Sequence, residues 1–424
     1  MTEVSAQGQK SPGVSGLTTI LIATAVAGVA AYVVTWLVPR SIGLADYAVF
    51  AVFWSSVYLV VGALNGIQQE VTRGTRRVDS AAPAEVSRAR TFGVVAGTVV
   101  FLAVIGTAPL WVGAVFPETG WGLVWPLAIG AASFVMVAVL AGSFYGVSAW
   151  VPIALMITVD ALLRLVAVAA VLGFTTDVIA LAWAVALPFP VTITLLWPFV
   201  RRAIVGKSQL DVGYRTLTWN VSRTILAAAA TGVMVSGFPL LLGLTSRSEP
   251  KGIVGLYILT ITLTRAPLIV VAMSLQSYFL VIFRDHSTTF WRQFLRLQAL
   301  VVSGGIVLAT AGWLLGPMVF RFLFPTALQP SGGFIAVLVA SSALVGSLCV
   351  SAPAVLARSQ HFVYVAGWVA GAVVTIASLL LPIDFTSRTI VALICAPIAA
   401  LLVHASYLLV SASRERRCAG LTSA

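Results

Sequence analysis

Charge is scarce along this 424-residue chain. Asp, Glu, Lys and Arg make up 9% of it, hydrophobic residues 60%, and the mean hydropathy is +1.04. A soluble fold needs more polar surface than that to face water, so a soluble domain is excluded. Cysteine and histidine are also sparse, at three each. Cys349 and Cys395 fall inside apolar runs and Cys418 in the C-terminal tail, with no spacing that suggests a disulfide framework or metal site. His286, His361 and His404 are isolated from any plausible metal partner. A glycine-rich phosphate loop is missing, as are carboxylates paired at useful spacing, and this argues against ATP hydrolysis. The expected outer connections are too short to hold the catalytic groups and donor of a glycosyltransferase or polysaccharide polymerase.

What the chain has instead is apolar length. A bilayer core about 30 Å thick takes roughly 20 residues per helix. Twelve runs qualify: 16–38, 44–67, 91–116, 122–146, 150–173, 177–200, 222–245, 253–280, 297–318, 333–356, 362–382 and 389–412. Backbone groups in lipid must be satisfied internally, which leaves helices or a closed barrel. Unbroken runs without strict alternation exclude the barrel. Residues 1–15 read as a polar cytosolic leader. The first run is too long for a cleaved signal, and Arg40 sits where a small-residue cleavage site belongs, so it is expected to be an uncleaved span.

The formal net charge of +12 follows from topology, and no nucleic-acid partner is expected. With the N-terminus inside, 18 of the 25 Lys and Arg residues fall in cytosolic segments or at cytosolic span ends. Arg40, Arg247, Lys251, Arg321 and Arg388 are the exceptions outside. Both termini are then cytosolic, and the basic clusters anchor against anionic headgroups. Trp36, Trp111, Trp121, Trp125, Trp197, Trp219, Trp291 and Trp313 lie near span ends, as an interfacial belt would.

The chain repeats itself. Gly43-Leu44-Ala45-Asp46-Tyr47 opens the second span and Gly255-Leu256-Tyr257 the eighth. Phe116-Pro117 ends the third span and Phe324-Pro325 follows the ninth. Arg201-Arg202 closes the sixth span, and Arg414 with Arg416-Arg417 closes the twelfth. The offsets of 210, 208 and 212 residues argue for duplication. The expected fold is therefore an all-α polytopic membrane protein with about 12 transmembrane helices in two six-helix bundles. Six is even, so the bundles are related by a pseudo-twofold axis along the membrane normal. The expected boundaries are a leader (1–15), an N-terminal bundle (16–202), a cytosolic interfacial linker (203–221), a C-terminal bundle (222–412) and a cytosolic tail (413–424).

Three charges lie deep in spans. Asp160 and Arg164 are four residues apart on one helix face, close enough to pair. Arg265 precedes Pro267, whose ring crowds the carbonyl of Leu263, so a bend is expected there. An intramembrane Arg costs about 2.5–3.5 kcal/mol on insertion scales and faces protein or a wet cavity. No acidic residue lies deep in any second-half span. Asp160 must therefore serve both arginines, or an anionic ligand serves one. The guanidinium grips phosphate in a bidentate way. Asn65, Gln68, Gln69 and Glu70 form a polar run where a gate could sit, with Asn65, Gln69 and Glu70 the candidate gate residues. Pro188 with Pro190, and Gly237 with Pro239, mark weak points in spans six and seven.

The pattern resembles the polysaccharide or O-antigen-type lipid-linked oligosaccharide flippases of the multidrug/oligosaccharidyl-lipid/polysaccharide exporter superfamily. The resemblance rests on twelve spans in two halves, on Pro39-Arg40-Ser41-Ile42-Gly43-Leu44-Ala45-Asp46-Tyr47, and on residues 142–164, where a short turn precedes a fifth span carrying an arginine. It implies two bundles around a central cavity that opens alternately to each face of a bacterial cytoplasmic membrane. It implies a sugar or oligosaccharide carried on a polyprenyl phosphate or diphosphate as cargo, moved from the inner to the outer leaflet for cell-envelope polysaccharide synthesis. The family's lumenal cations would correspond to Arg164 and Arg265, with Asp160 orienting Arg164 or relaying a proton. Membrane lipid and glycosyltransferases are the expected partners, and a monomer is expected. No cofactor is expected; energy would come from a proton or sodium gradient or from consumption of product. Two alternatives stay open. One is a drug or amphiphile exporter of the same superfamily; its antiporter form needs an acid in the first or seventh span, and 16–38 and 222–245 contain none. The other is a non-transporting membrane subunit of a glycan-assembly complex.

Overall fold

A computed structural model of the chain describes residues 14–77, 88–205, 208–210, 213–285, 289–325 and 329–421. Most of the leader and residues 78–87 of the loop 68–90 lie outside the described residues, as do His286 and residues 422–424 of the tail. Among the described residues the chain is helical: α1 (Val14–Gly74), α2 (Arg88–Val115), α3 (Trp121–Gly146), α4 (Trp150–Leu172), α5 (Val178–Ala186), α6 (Pro188–Val200), α7 (Tyr214–Val235), α8 (Phe238–Thr245), α9 (Lys251–Ser274), α10 (Gln276–Asp285), α11 (Phe290–Leu323), α12 (Gly332–Ala357), α13 (His361–Leu379) and α14 (Phe385–Leu421).

Ten of these helical stretches are long and apolar enough to cross a membrane. The first of them counts twice: at 1.5 Å per residue, 61 residues would make a rod about 90 Å long, three bilayer cores. Gly43, at φ 79° and ψ 169°, divides it, in a backbone region open to glycine. The pair α7–α8, bent by 67°, adds one more span. The chain is thus an all-α polytopic membrane protein with about twelve transmembrane helices, at the positions the apolar runs mark.

The sequence places a connection at 39–43, but the helix continues through Pro39 and only Gly43 leaves helical geometry. Pro267 does not end α9; the interruption comes at Leu275, between α9 and α10. Hydroxyls of Thr260, Thr262 and Thr264 bond carbonyls one turn back at 2.7, 2.8 and 2.7 Å around that stretch. The breaks marked by proline in spans six and seven are present, at Leu187 and at 236–237. The segment 203–221 holds more structure than a tether: β2 (Ser208–Leu210) pairs antiparallel with β1 (Thr75–Arg77), Thr75 opposite Leu210, and α7 already starts at Tyr214.

Contacts gather the described residues into two compact units. One takes the chain to Val34, Leu64–Leu110 and Thr119–Ile225; the other takes Thr35–Ala63, Trp111–Glu118 and the chain from Leu226 onward. Within the first, α3 is the sheltered helix, with most of its apolar stretch buried, and α2 is among the least covered. Within the second, α12 is sheltered in the same way and α11 faces outward. These are the fourth and tenth spans, and the third and ninth, so the burial profile repeats with the sequence. The Phe-Pro stops repeat too. Phe116 and Phe324 are both buried, and each donates its N–H to a carbonyl four residues back, at 2.8 Å, just before proline ends the helix.

Four of the five cations outside the positive-inside pattern have fixed partners in the second unit. Arg40 donates to the Leu323 carbonyl at 3.1 Å and Arg247 to the Ala114 carbonyl at 2.7 Å. Lys251 pairs with Glu118, and Arg388 lies 3.9 Å from Glu249. They serve carbonyls and carboxylates at span ends.

Candidate functional site

In the first unit, Asp160 and Arg164 sit one turn apart on α4 and form the expected pair, at 2.8 and 3.0 Å from Nη2 to the two carboxylate oxygens. The Arg164 Nε donates to the carbonyl of Val185 at 3.2 Å, and its guanidinium lies 4.7 Å from the centre of the Phe189 ring. Val185 and Phe189 flank the α5–α6 break. Pro188 and Pro190 lack N–H groups, so carbonyls one turn back lose their helical donors. Arg164 therefore braces a weakened stretch of span six while Asp160 balances its charge. Its side chain is 8% exposed and that of Asp160 21%.

Arg265 belongs to the second unit, on α9. It is 5% exposed, and its Nε has no hydrogen-bond partner. Among the described residues no carboxylate pairs with it. Its contact is aromatic: the guanidinium carbon stands 5.8 Å from the centre of the Phe238 ring, at the first position of α8 just past the bend. The two deep arginines thus differ: Arg164 is matched, and Arg265 is not.

The polar run at the far end of the second span lies in the first unit. Glu70 accepts from the Thr224 hydroxyl at 3.1 Å and lies 3.8 Å from Arg73. Asn65 is half-buried and Gln69 exposed. Glu70 thereby ties this end of α1 to α7, one turn beyond Gly66.

Two polar groups escaped the sequence reading. Ser55 bonds backbone on both sides of the α7–α8 bend. His404, isolated in sequence, is fully buried, with Nδ1 3.0 Å from the Ser351 hydroxyl and Nε2 3.4 Å from the Tyr364 carbonyl, so it links α12, α13 and α14. A serine among apolar residues carries no spacing signal, and neither does a lone histidine. Among the described residues no group of His, Cys, Asp and Glu could hold a metal ion.

No protein-family model matches the chain. It is 33% identical over 387 residues to the uncharacterized protein Rv3630 of Mycobacterium tuberculosis, covering 90% of this chain and 89% of that protein. It is 32% identical over 391 residues to the uncharacterized protein Rv1510 of the same organism, covering 91% and 90%. Among solved structures it is similar to an inward-facing multidrug resistance MATE family transporter of the MOP superfamily, with a TM-score of 0.63 at 15% identity, covering 94% of this chain and 99% of that one. The MATE multidrug transporter DinF-BH gives a TM-score of 0.61 at 15% identity over 96% and 98%. The fold is shared with these MOP-superfamily transporters.

Proposed function

This chain belongs to one family with the Mycobacterium tuberculosis proteins Rv3630 and Rv1510, and on that premise and its fold we propose that it is a flippase for an anionic polyprenyl-phosphate- or diphosphate-linked sugar or oligosaccharide. It works by alternating access in the cytoplasmic membrane, both termini cytosolic, moving cargo from the inner to the outer leaflet for envelope polysaccharide synthesis. The observation that carries the reading is Arg265: a buried guanidinium with no carboxylate partner among the described residues, in a chain that neutralises its other deep arginine.

A deep cation without a counter-ion is costly in the empty protein and is relieved when an anion arrives. Guanidinium N–H groups meet phosphate oxygens in pairs, and the Phe238 ring stands beside the guanidinium. Arg164, on the first unit, would meet the phosphate separately, with Asp160 as its resting partner. Asn65, Gln69 and Glu70 form the inner gate. The polyprenyl tail stays in lipid. Cargo drives the cycle only by binding the inward- and outward-open states differently. Glycosyltransferases that build the cargo are the natural partners.

A second reading, export of a drug or amphiphile, is supported by the fold likeness to multidrug transporters. The test separates the two. Full-length protein in vesicles is assayed for flipping of a fluorescent polyprenyl-diphosphate sugar, beside efflux of a cationic dye. Arg265→Ala lowers the initial flipping rate at least roughly tenfold, since one charge-assisted hydrogen bond is worth about 1.5–3 kcal/mol. Arg265→Lys retains part of it. A folded, normally abundant Arg265→Ala protein that flips at the wild-type rate overturns the reading, and dye efflux without flipping favours the exporter.

A further inference from the structure

We propose that Ser55, in the second span, is a positioning residue that sets the bend of the seventh span and so holds Phe238 against Arg265; this rests on the role given to Arg265 above. In an uninterrupted α-helix the N–H of Leu240 would bond the carbonyl of Ser236, four residues back. Here the Ser55 hydroxyl stands between them. It donates to the Ser236 carbonyl and accepts the Leu240 N–H at 3.2 Å. A side chain inserted in the helical ladder is one of the few physical causes of a sharp kink. The same stretch contains Pro239, which withholds a further donor. The N–H groups of Ser236 and Gly237 both turn to the Gly232 carbonyl, at 2.8 Å each, and finish α7 there. The resulting angle is 67°.

The next residue in the chain decides the contrast. Ser56 bonds the carbonyl of Val52, four residues back on its own helix, at 2.8 Å. That is what a serine in a membrane helix does when it has only itself to satisfy. Ser55 bonds across to another span. It lies on one face with Val52 and Leu59, and those neighbours touch the two limbs of the bend. A β-carbon on Gly243 of α8 would lie 2.5 Å from Val52, and one on Gly232 of α7 would lie 3.1 Å from Leu59. The second span thus runs along both limbs with Ser55 at the elbow, 2% exposed. Phe238 begins α8 immediately past that elbow, and its ring faces the Arg265 guanidinium. Changing the elbow angle moves that ring.

The bend is read directly by distance. Spin labels are placed at the exposed positions Arg215 and Ser248, in the full chain in lipid vesicles without cargo, with Cys395 and Cys418 changed to alanine. From the 22 and 8 residues of α7 and α8, the helix ends lie about 39 Å apart when bent and about 45 Å when collinear. Ser55→Ala shifts the distance distribution toward the longer value and lowers the flipping rate. Ser55→Thr, which keeps the hydroxyl, restores both. An unchanged distribution in Ser55→Ala overturns the proposal and leaves the Arg265 reading untouched. A shifted distribution with wild-type flipping overturns the link between the elbow and the site.

Discussion

Replacing Asp160 by asparagine puts the strongest local demand on the structure. Arg164 would keep its bond to the Val185 carbonyl and its place over Phe189. It would lose two carboxylate contacts at 2.8 and 3.0 Å. Removing one member of a buried ion pair costs about 3–5 kcal/mol because the remaining charge stays desolvated. The Asp160 side chain is 21% exposed, so the lower end, about 3 kcal/mol, applies here. At roughly 2–4 °C per kcal/mol for a unit of this size, the midpoint falls by roughly 6–12 °C. The double replacement Asp160→Leu with Arg164→Met removes both charges and keeps apolar volume. It leaves the Val185 carbonyl without the arginine donor, a cost of about 1–3 kcal/mol. The double variant should therefore unfold no lower than Asp160→Asn. The assay is thermal unfolding of purified full-length protein, followed by tryptophan fluorescence. An Asp160→Asn protein that melts with wild type refutes the pairing argument, and so does a double variant that melts below the single one. The double variant, being folded, also shows in the flipping assay whether Arg164 does more than brace span six.

Gly255→Ala would drive a methyl group into the Leu44 carbonyl oxygen, and backbone cannot yield as a flexible side chain does; the yield of monodisperse protein on size exclusion should collapse. Gly252→Ala, with open space around it, should be neutral or slightly stabilising. Asp384 caps α14, and the Ser387 backbone N–H holds its carboxyl below the usual carboxylate range. Its folded pKa is thus lower than the unfolded value of about 3.9, so its contribution is present above that pH and lost as pH falls through and below it. The gap in melting midpoint between wild type and Asp384→Ala should exist at pH 6 and close in the acid range; a gap of constant size from pH 6 to pH 3 contradicts this.

The spans were legible because lipid leaves the backbone only helix or closed barrel, and long apolar runs without alternation select the helix. Pro188 and Gly237-Pro239 announced their breaks because a missing N–H or a missing β-carbon acts locally. Pro267 sits inside α9 without ending it, as a proline that bends a helix can. The strand pair of Thr75–Arg77 with Ser208–Leu210 was invisible: three residues on each side are too few to show a β pattern, and chain geometry alone brings them together. The Asp160–Arg164 pair was legible from one helical turn. The Val185 carbonyl that completes it comes from another helix, and so does the Ser236 carbonyl that claims Ser55. Such partners depend on which faces pack, and one sequence does not state that.

The passage from first span to second has a practical side. Only Gly43 departs from helix there, so this passage offers no irregular loop for a protease to cut or an antibody to seize. Reporter tags, glycosylation acceptors and fusion partners inserted at that corner would have to unwind transmembrane backbone to be displayed. Insertions meant to be displayed should go instead to 174–177 or 246–250, where the chain already leaves the helix.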